Sequence, residues 1–113
     1  MEKIQFLAIG DILTDAFITL KDAEVTCDID HENCKLCVKF GQKIPFESVT
    51  VIHGVGNAPN AAVAAHRLGL SGGLLASVGN DEEGKTCLKH LETEGIDTRG
   101  MTVEDGKATT CVS

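Results

Sequence analysis

A strong helix signal between two short apolar runs restricts the fold of this chain more than any other feature. The signal starts with Asn-Ala-Pro-Asn at 57–60, continues through the alanine-rich run 61–68 and stops at Gly69. Asn caps helices well, Pro is tolerated in the first turn, Ala favours helix and Gly ends it. The runs 3–9 and 72–78 are short and apolar, as buried strands are. This strand–helix alternation predicts an α/β core with parallel strands.

A second helix and several short extended segments complete the predicted architecture. The turn at 79–81 is expected to cap a helix whose Leu88 and Leu91 face the core, and which ends at 94–95. Runs of β-branched and aromatic residues favour short strands, and we expect these strands to form a small β-flap. The flap segments lie near 12–20, 36–52 and 108–113. The polar, acidic run 21–33 is predicted to be a loop.

The size and charge of the chain exclude several classes of protein. Its 113 residues suit a single domain, and it contains no apolar run of about 18 residues, the length that a membrane-spanning helix needs. The net charge of −7 disfavours binding to nucleic acid or to anionic membranes, because both need clustered Lys and Arg. The first residues lack the basic region and cleavage site of a signal peptide, so we expect a cytoplasmic protein.

Several residues able to bind metal are crowded into the polar run. The chain has five Cys, an odd number. Without a secretion signal they are expected to be reduced thiols or metal ligands and not a disulfide framework. A Cys-x3-His-x2-Cys-x2-Cys pattern is formed by Cys27, His31, Cys34 and Cys37. These residue types serve structural zinc sites, but separated pairs of ligands are more usual there. Free thiols are therefore the favoured interpretation, with zinc as the alternative.

Four short motifs follow one another along the chain. They are Gly-Asp-Ile-Leu-Thr-Asp at 10–15, the glycine-to-glycine helix segment 56–69, Val-Gly-Asn-Asp-Glu-Glu-Gly at 78–84 and Glu-Gly-Ile-Asp-Thr at 94–98. In this order and spacing they resemble the N-terminal part of ribokinase-like (PfkB-family) carbohydrate kinases. One departure is Val55-Gly56, where that family usually has Gly-Gly. The resemblance covers nearly the whole chain except 22–44, and it implies a three-layer α/β core, here incomplete, with a small β-flap.

The resemblance implies that residues 1–113 are the substrate-binding part of a carbohydrate kinase. The family's second signature, Asp-Thr-x-Gly-Ala-Gly-Asp, carries the catalytic Asp and the anion hole beside ATP, and no stretch of the chain matches it. We therefore expect the C-terminal ATP-binding part to be absent, no catalytic residue in this chain, and no activity of the chain alone. ATP and Mg²⁺ are the cofactors that the resemblance implies for a complete enzyme.

The resemblance assigns the sugar to residues of the first two motifs, which we expect to face one cleft. Asp15 follows a strand end, and a carboxylate can accept hydrogen bonds from two neighbouring hydroxyls. From spacing alone, capping of a turn is the simpler role for Asp15. Asn60 offers an amide donor and an acceptor, and Gly54 and Gly56 let the backbone approach a ligand. For Asn57, in the same turn, a helix-capping role is favoured over contact with substrate.

Two other polar features have structural interpretations. Asp81 has the chemistry of a metal ligand, but capping of the second helix explains it better, because an acidic first turn complements the helix dipole. The glycine-rich turn near Gly56 has the flexibility of a phosphate-binding loop. No Lys followed by Ser or Thr stands at the required spacing after this turn, so a Walker-type site is excluded at the turn.

Three functions are compatible with these patterns. The first is a part of an ATP-dependent kinase that phosphorylates a sugar hydroxyl. The second is a sugar-binding or interaction module without chemistry, and the third is a small zinc-stabilised domain. The expected partners are a sugar or sugar-like small molecule and a second copy of the chain. The flap would make the second contact, because short strands with apolar residues such as Val38, Phe40 and Phe46 invite pairing at an open edge.

Overall fold

The computed structural model describes residues 3–112 and divides into two units. The first unit contains the residues up to Ala16 and those from Val51 onward, and the second is Phe17–Thr50. The elements in chain order are β1 (Phe6–Ile9), β2 (Leu13–Leu20), β3 (Glu24–Thr26), β4 (Lys35–Cys37), β5 (Phe46–Val55), α1 (Asn57–Arg67), β6 (Gly72–Gly79), α2 (Glu82–Thr93), β7 (Met101–Glu104) and β8 (Cys111–Val112). Within residues 3–112, no helix is long and apolar enough to cross a membrane.

The first unit is built on a parallel sheet of order β1-β6-β7, which confirms the predicted α/β class. Ala8 pairs with Leu74 in this sheet. Side chains alternate between the two faces of a strand, and Ala8, Leu74 and Val78 lie on the face that packs against the two helices. Leu91 of α2 is fully buried there and Leu88 packs against the same cluster, as predicted.

Small residues allow α1 to lie close to the sheet. Ala58, Ala62 and Ala65 form its buried face. A Cβ atom added to Gly72 would lie 2.8 Å from the carbonyl oxygen of Ala62, and one added to Gly10 would lie 2.9 Å from the Cβ of Ala58. A larger residue at either glycine would therefore push the helix away from the strands.

The opposite face of the same sheet carries exposed apolar side chains. Leu7, Ile9 and Leu75 are 50%, 69% and 42% exposed. Ile9 and Leu75 are also partners in the ladder between β1 and β6. Residues 3–112 thus supply the sheet and one helical layer of the expected three-layer arrangement.

The start of α1 differs from the prediction. The N-cap is Gly56, and no side chain makes a capping hydrogen bond there. Gly56 has a φ of 125°, a backbone conformation that is strained for any residue with a side chain. Asn57 is the first residue of the helix. The capping role predicted for Asn57 is therefore wrong, because the turn requires glycine at the cap position itself.

Strands β2 and β5 each belong to both units of the chain. They form a sheet of order β5-β2-β8. At its start, β2 pairs in parallel with β8, with Thr14 opposite Cys111 and Asp15 opposite Val112. The end of the expected flap segment 108–113 is therefore paired within the first unit, and Ser113 lies outside the described residues.

The second unit contains an antiparallel hairpin whose first strand lies within the run 21–33 that was predicted to be a loop. Strand β3 pairs with β4, with Val25 opposite Leu36 and Thr26 opposite Lys35. The next pair in this register is Cys27 and Cys34, which are joined by a disulfide. The prediction of a loop is thus wrong at β3. A covalent link restricts the unfolded chain, so it can stabilise a two-stranded hairpin that would be marginal by itself.

The disulfide also corrects the interpretation of Cys27 and Cys34 as reduced thiols. The described free cysteines are Cys37, which is exposed, and Cys87, which is buried. Cys37 pairs with Glu24, so strand alternation places it on the other face of the hairpin from the disulfide. The described part of the chain contains no group of three His, Cys, Asp or Glu residues able to hold a metal ion. The zinc alternative gains no support from this geometry.

Candidate functional site

Residues of the first two motifs lie around the carboxyl end of β1. That strand ends at Ile9, β2 begins at Leu13, and α1 begins at Asn57. Open α/β sheets bind ligands at the carboxyl ends of their strands. The first motif is thus at the edge of the sheet where a ligand site is expected.

A cavity of about 570 Å³ opens at this edge. This volume is in the range of small-molecule sites, roughly 300–1,000 Å³. Of the predicted sugar-binding residues, Gly56 and Asn57 line it, together with Asp11. Its other lining residues are Phe6, Ala8, Ile9, Gly10, Leu13, Ala58 and Ala61. The cavity therefore combines an apolar wall with a carboxylate and an amide.

A second cavity, of about 390 Å³, contains the other two predicted residues of the β5–α1 turn and helix. Gly54 and Asn60 line it, with Val55, Val63, Ala64, Arg67, His90 and Glu94. Gly54 has a φ of 71°, and a Cβ added to it would lie 2.8 Å from Cδ2 of His90. The imidazole of His90 therefore packs directly on the Gly54 backbone, and glycine is needed there for both space and conformation.

A bidentate ion pair closes one side of the second cavity. Arg67 donates from Nε to Oε2 of Glu94 at 3.1 Å and from Nη2 to Oε1 at 2.5 Å. The side-chain hydrogen bond between them raises the pKa of the Arg67 guanidinium and lowers the pKa of the Glu94 carboxyl. Both groups stay charged at neutral pH and satisfy each other, so this pair serves to join the ends of the two helices.

Asp15 is half-buried near the start of β2 and lines neither of these two cavities. The structure thus brings Gly56 and Asn57 together in one cavity, and Gly54 and Asn60 together in another. The single cleft expected to contain both Asp15 and Asn60 stays a prediction.

A buried polar network beside Asp15 was not found from the sequence. Thr14 is 1% exposed, and among the described residues it is the only buried residue with a polar side chain. Its hydroxyl lies 3.0 Å from Oε2 of Glu83, 3.3 Å from Nδ1 of His53 and 3.6 Å from Sγ of Cys87. These partners are 39 to 73 residues away in sequence. The only local sign of this network in the sequence was a Thr at a position of the strand that faces the core.

Asp81 has the capping role that was predicted for it. Its Oδ1 accepts a hydrogen bond from the backbone N–H of Gly84 at 2.7 Å. Thr109 donates to the same carboxylate twice, from its backbone N–H at 2.9 Å and from its hydroxyl at 2.7 Å. The Thr109 hydroxyl in turn accepts from the N–H of Gly79 at 3.0 Å. Asp81 therefore starts α2 and also holds the loop that precedes β8.

These contacts predict a pH-dependent contribution of Asp81 to stability. Hydrogen bonds from the backbone and then the hydroxyl of Thr109, with a further one from Gly84, lower the pKa of the Asp81 carboxyl. A carboxyl whose pKa is lower in the folded state stabilises that state above its unfolded pKa, and loses this effect as the pH falls through the folded pKa. We expect Asp81→Ala to lower the free energy of unfolding at about pH 7, with the deficit narrowing below about pH 4.

Urea denaturation at a series of pH values measures this deficit. Asp30→Ala is the matched control, because Asp30 is exposed and belongs to the second unit. A constant difference between Asp81→Ala and the wild-type chain across the acid range would contradict the prediction.

Comparison with known proteins identifies relatives of this chain. A family described as pfkB family carbohydrate kinase matches residues 21–113. A sugar kinase from Pyrococcus horikoshii is 42% identical over 55 residues, which are 48% of this chain. A 5-dehydro-2-deoxygluconokinase from Bacillus velezensis is 32% identical over 59 residues, which are 51% of this chain.

Solved structures share the fold. A ribokinase from Agrobacterium tumefaciens matches 94% of the chain with a TM-score of 0.68 and 31% identity. A sugar kinase from Clostridium perfringens matches 98% of the chain with a TM-score of 0.73 and 22% identity. These neighbours confirm the ribokinase-like fold that the motifs predicted. The chain spans 18% of the length of the two relatives named above and 30% of each of these two solved structures.

Proposed function

We propose, on the premise that this chain belongs to the pfkB family of carbohydrate kinases, that it forms the part of an ATP-dependent kinase that holds the sugar. The observation that carries this proposal is the position of the motif residues. Gly56 and Asn57 line a cavity of about 570 Å³ at the carboxyl end of β1. Asp15 is the third residue of β2, the strand that follows β1. Gly54 and Asn60 stand at the neighbouring turn and helix face.

The chemistry of these groups suits a sugar. A sugar presents several hydroxyls that each donate and accept, and a carboxylate such as Asp15 accepts from two of them. Asn60 can donate and accept on one diol. Backbone at Gly54 and Gly56 can approach the ring because no Cβ intervenes. A few directed polar groups beside an apolar wall are typical of small-molecule sites.

We assign ATP to the complete enzyme and to no residue of this chain. The solved relatives include a ribokinase from Cryptococcus neoformans in complex with ADP and a sugar kinase from Pyrococcus horikoshii in complex with ATP. Phosphoryl transfer in general depends on positioning, on a base for the attacking hydroxyl and on stabilisation of the transferred group by Mg²⁺ and hydrogen-bond donors. The described residues contain no cluster able to hold a metal ion, so we place Mg²⁺ on none of them.

The charge of the chain supports a small molecule over nucleic acid as its partner. The net charge of −7 disfavours nucleic acid as a partner, because phosphate backbones bind clustered cations. A cytoplasmic location is part of the proposal. An interaction module without chemistry would share the same fold, and sugar-dependent ATP consumption by the protein as its gene encodes it would separate a kinase from such a module.

The first prediction concerns Asp15. In the protein as its gene encodes it, we expect Asp15→Ala to weaken sugar binding by about tenfold or more, since hydroxyls would lose a charged acceptor worth about 1.5–3 kcal/mol. Isothermal titration with D-ribose, D-fructose, 2-keto-3-deoxy-D-gluconate and adenosine measures the dissociation constants. Asp30→Ala, at an exposed Asp of the second unit, is the matched control. Equal affinities for the Asp15 variant and the wild-type protein would remove Asp15 from the site.

The second prediction is that the 113 residues alone transfer no phosphate. They match no ATP-binding signature of the family, and phosphoryl transfer needs ATP, Mg²⁺ and a base aligned with the hydroxyl. An ATP-consumption assay with the same sugars tests this with the purified chain. Sugar-dependent turnover above that of the Asp15→Ala chain would mean that the remaining part of a kinase is dispensable.

The third prediction is a homodimer formed through the second unit. Val38 and Phe40 follow β4, and Phe46 begins β5. They are 43%, 101% and 59% exposed, and exposed apolar residues at an open strand edge invite pairing with another chain. Light scattering coupled to size exclusion should give twice the mass of one chain. Phe40→Ser should shift the protein toward the monomer. Ile29→Ser, a change at another exposed apolar residue, which lies in the loop between β3 and β4, should not. A strict wild-type monomer would refute the proposal.

A further inference from the structure

The Thr14 network joins two strands to one helix in the first unit. Thr14 belongs to β2, His53 to β5, and Glu83 and Cys87 to α2. The Thr14 hydroxyl is within hydrogen-bond distance of all three partners. His53 Nδ1 is also 3.0 Å from Oε2 of Glu83. One carboxylate oxygen therefore meets both the hydroxyl and the imidazole.

The chemistry of Glu83 sets the direction of these bonds. A carboxylate only accepts, so the Thr14 hydroxyl donates to Oε2, and His53 must carry its proton on Nδ1 to approach the same oxygen. The remaining lone pairs of the Thr14 oxygen can accept from the thiol of Cys87. Among the described residues, no buried side-chain nitrogen or oxygen is without a partner. The buried Thr14 hydroxyl is thus satisfied, as its burial requires.

Each strand residue of this network immediately precedes a residue of the proposed sugar site. Thr14 precedes Asp15, and His53 precedes Gly54. Successive side chains of a strand point to opposite faces, so a Thr14 side chain held against α2 directs Asp15 the other way. Gly54, which follows His53, also packs against the ring of His90.

We infer that Thr14, His53 and Glu83 are positioning residues, which direct the Asp15 carboxylate and the Gly54 backbone toward the sugar. This inference rests on the proposed function, since it assumes that Asp15 and Gly54 belong to the sugar site. The three residues act through their neighbours in the strands and touch no substrate themselves. Their hydrogen bonds set where the two strands lie relative to α2.

A purely structural role would not require the hydroxyl. Val has nearly the shape of Thr, and removing one partner of a hydrogen bond is costly mainly when the other partner stays buried and unsatisfied. Glu83 and His53 are partly exposed, so water can replace the Thr14 hydroxyl as their partner. Loss of the hydroxyl should therefore affect the orientation of β2 and β5 more than the stability of the fold.

Two substitutions at Thr14 separate the hydroxyl from the shape. Thr14→Val keeps the shape and removes the hydroxyl, and Thr14→Ser keeps the hydroxyl. Thr19→Val makes the same chemical change at an exposed position of the same strand and is the matched control. In the protein as its gene encodes it, we expect Thr14→Val to weaken binding of the sugar that the wild-type protein binds by about tenfold, the effect of one hydrogen bond to a charged group. Thr14→Ser and Thr19→Val should stay within about twofold.

A second measurement does not depend on sugar. Amide hydrogen exchange followed by NMR reports the order of residues 13–16 and 53–55 directly. Thr14→Val should speed exchange there by about tenfold, with Thr14→Ser close to the wild-type protein. Exchange in β6 should be unchanged in all variants. A general loss of protection, including β6, would mean that the fold itself depends on the hydroxyl and would overturn the inference.

The outcomes distinguish this inference from the proposed function. If Asp15→Ala leaves sugar binding unchanged, or if no sugar on the panel binds, the proposed function fails, and the exchange data alone decide whether the network orders β2 and β5. If Asp15→Ala weakens binding but Thr14→Val and Thr14→Ser have equal affinities, the sugar site stands and the positioning role is refuted.

Discussion

The close contact between α1 and the strands β1 and β6 is the constraint on which the rest of the first unit depends. Gly72 lies under Ala62, and Gly10 lies under Ala58, each with no room for a Cβ. The free energy of this contact comes from the burial of small apolar groups. Larger side chains at the same positions would separate the helix from the strands. Because the helix is held this close, its first residue, Asn57, reaches the cavity at the end of β1. The candidate site is therefore a consequence of how small the residues behind it are.

Polar groups stabilise the same unit at two points where packing alone would not fix the geometry. Asp81 binds the start of α2 and the backbone and hydroxyl of Thr109 with one carboxylate. The Thr14 hydroxyl binds the first turn of α2 through Glu83. Apolar contacts resist separation but allow sliding, whereas hydrogen bonds have a preferred direction. The helix α2 is thus held in register with β2 and with the loop that leads to β8.

The parts of the fold that could be predicted from sequence are those whose signal is local. Asp81 could be identified as a cap because the capping side chain accepts a hydrogen bond from a backbone N–H only three residues later in the chain. The pattern is therefore visible in a short stretch of sequence. Gly56 was missed as the cap of α1, because the competing Asn57 has the stronger capping preference and only the backbone angle of 125° reveals the need for glycine. The hairpin at β3 was missed because its stability comes from a disulfide, and pairing of Cys27 with Cys34 follows from register. The Thr14 network could not be found, because its members are brought together only by the tertiary fold.

Orientation and affinity place different demands on the start of β2. A carboxylate that holds a sugar must point in one direction to within a fraction of a hydrogen-bond length. Beside Asp15, the buried hydroxyl of Thr14 is the polar group that ties β2 to α2. An apolar side chain at Thr14 would bury as much surface, but it could rotate or slide against α2 at little cost. A hydroxyl donating to Glu83 cannot do so without losing its partner, and an unsatisfied buried hydroxyl costs about 1–3 kcal/mol. The polar residue in this core therefore limits the positions that the start of β2 can adopt, which is the property that our proposal for Asp15 requires.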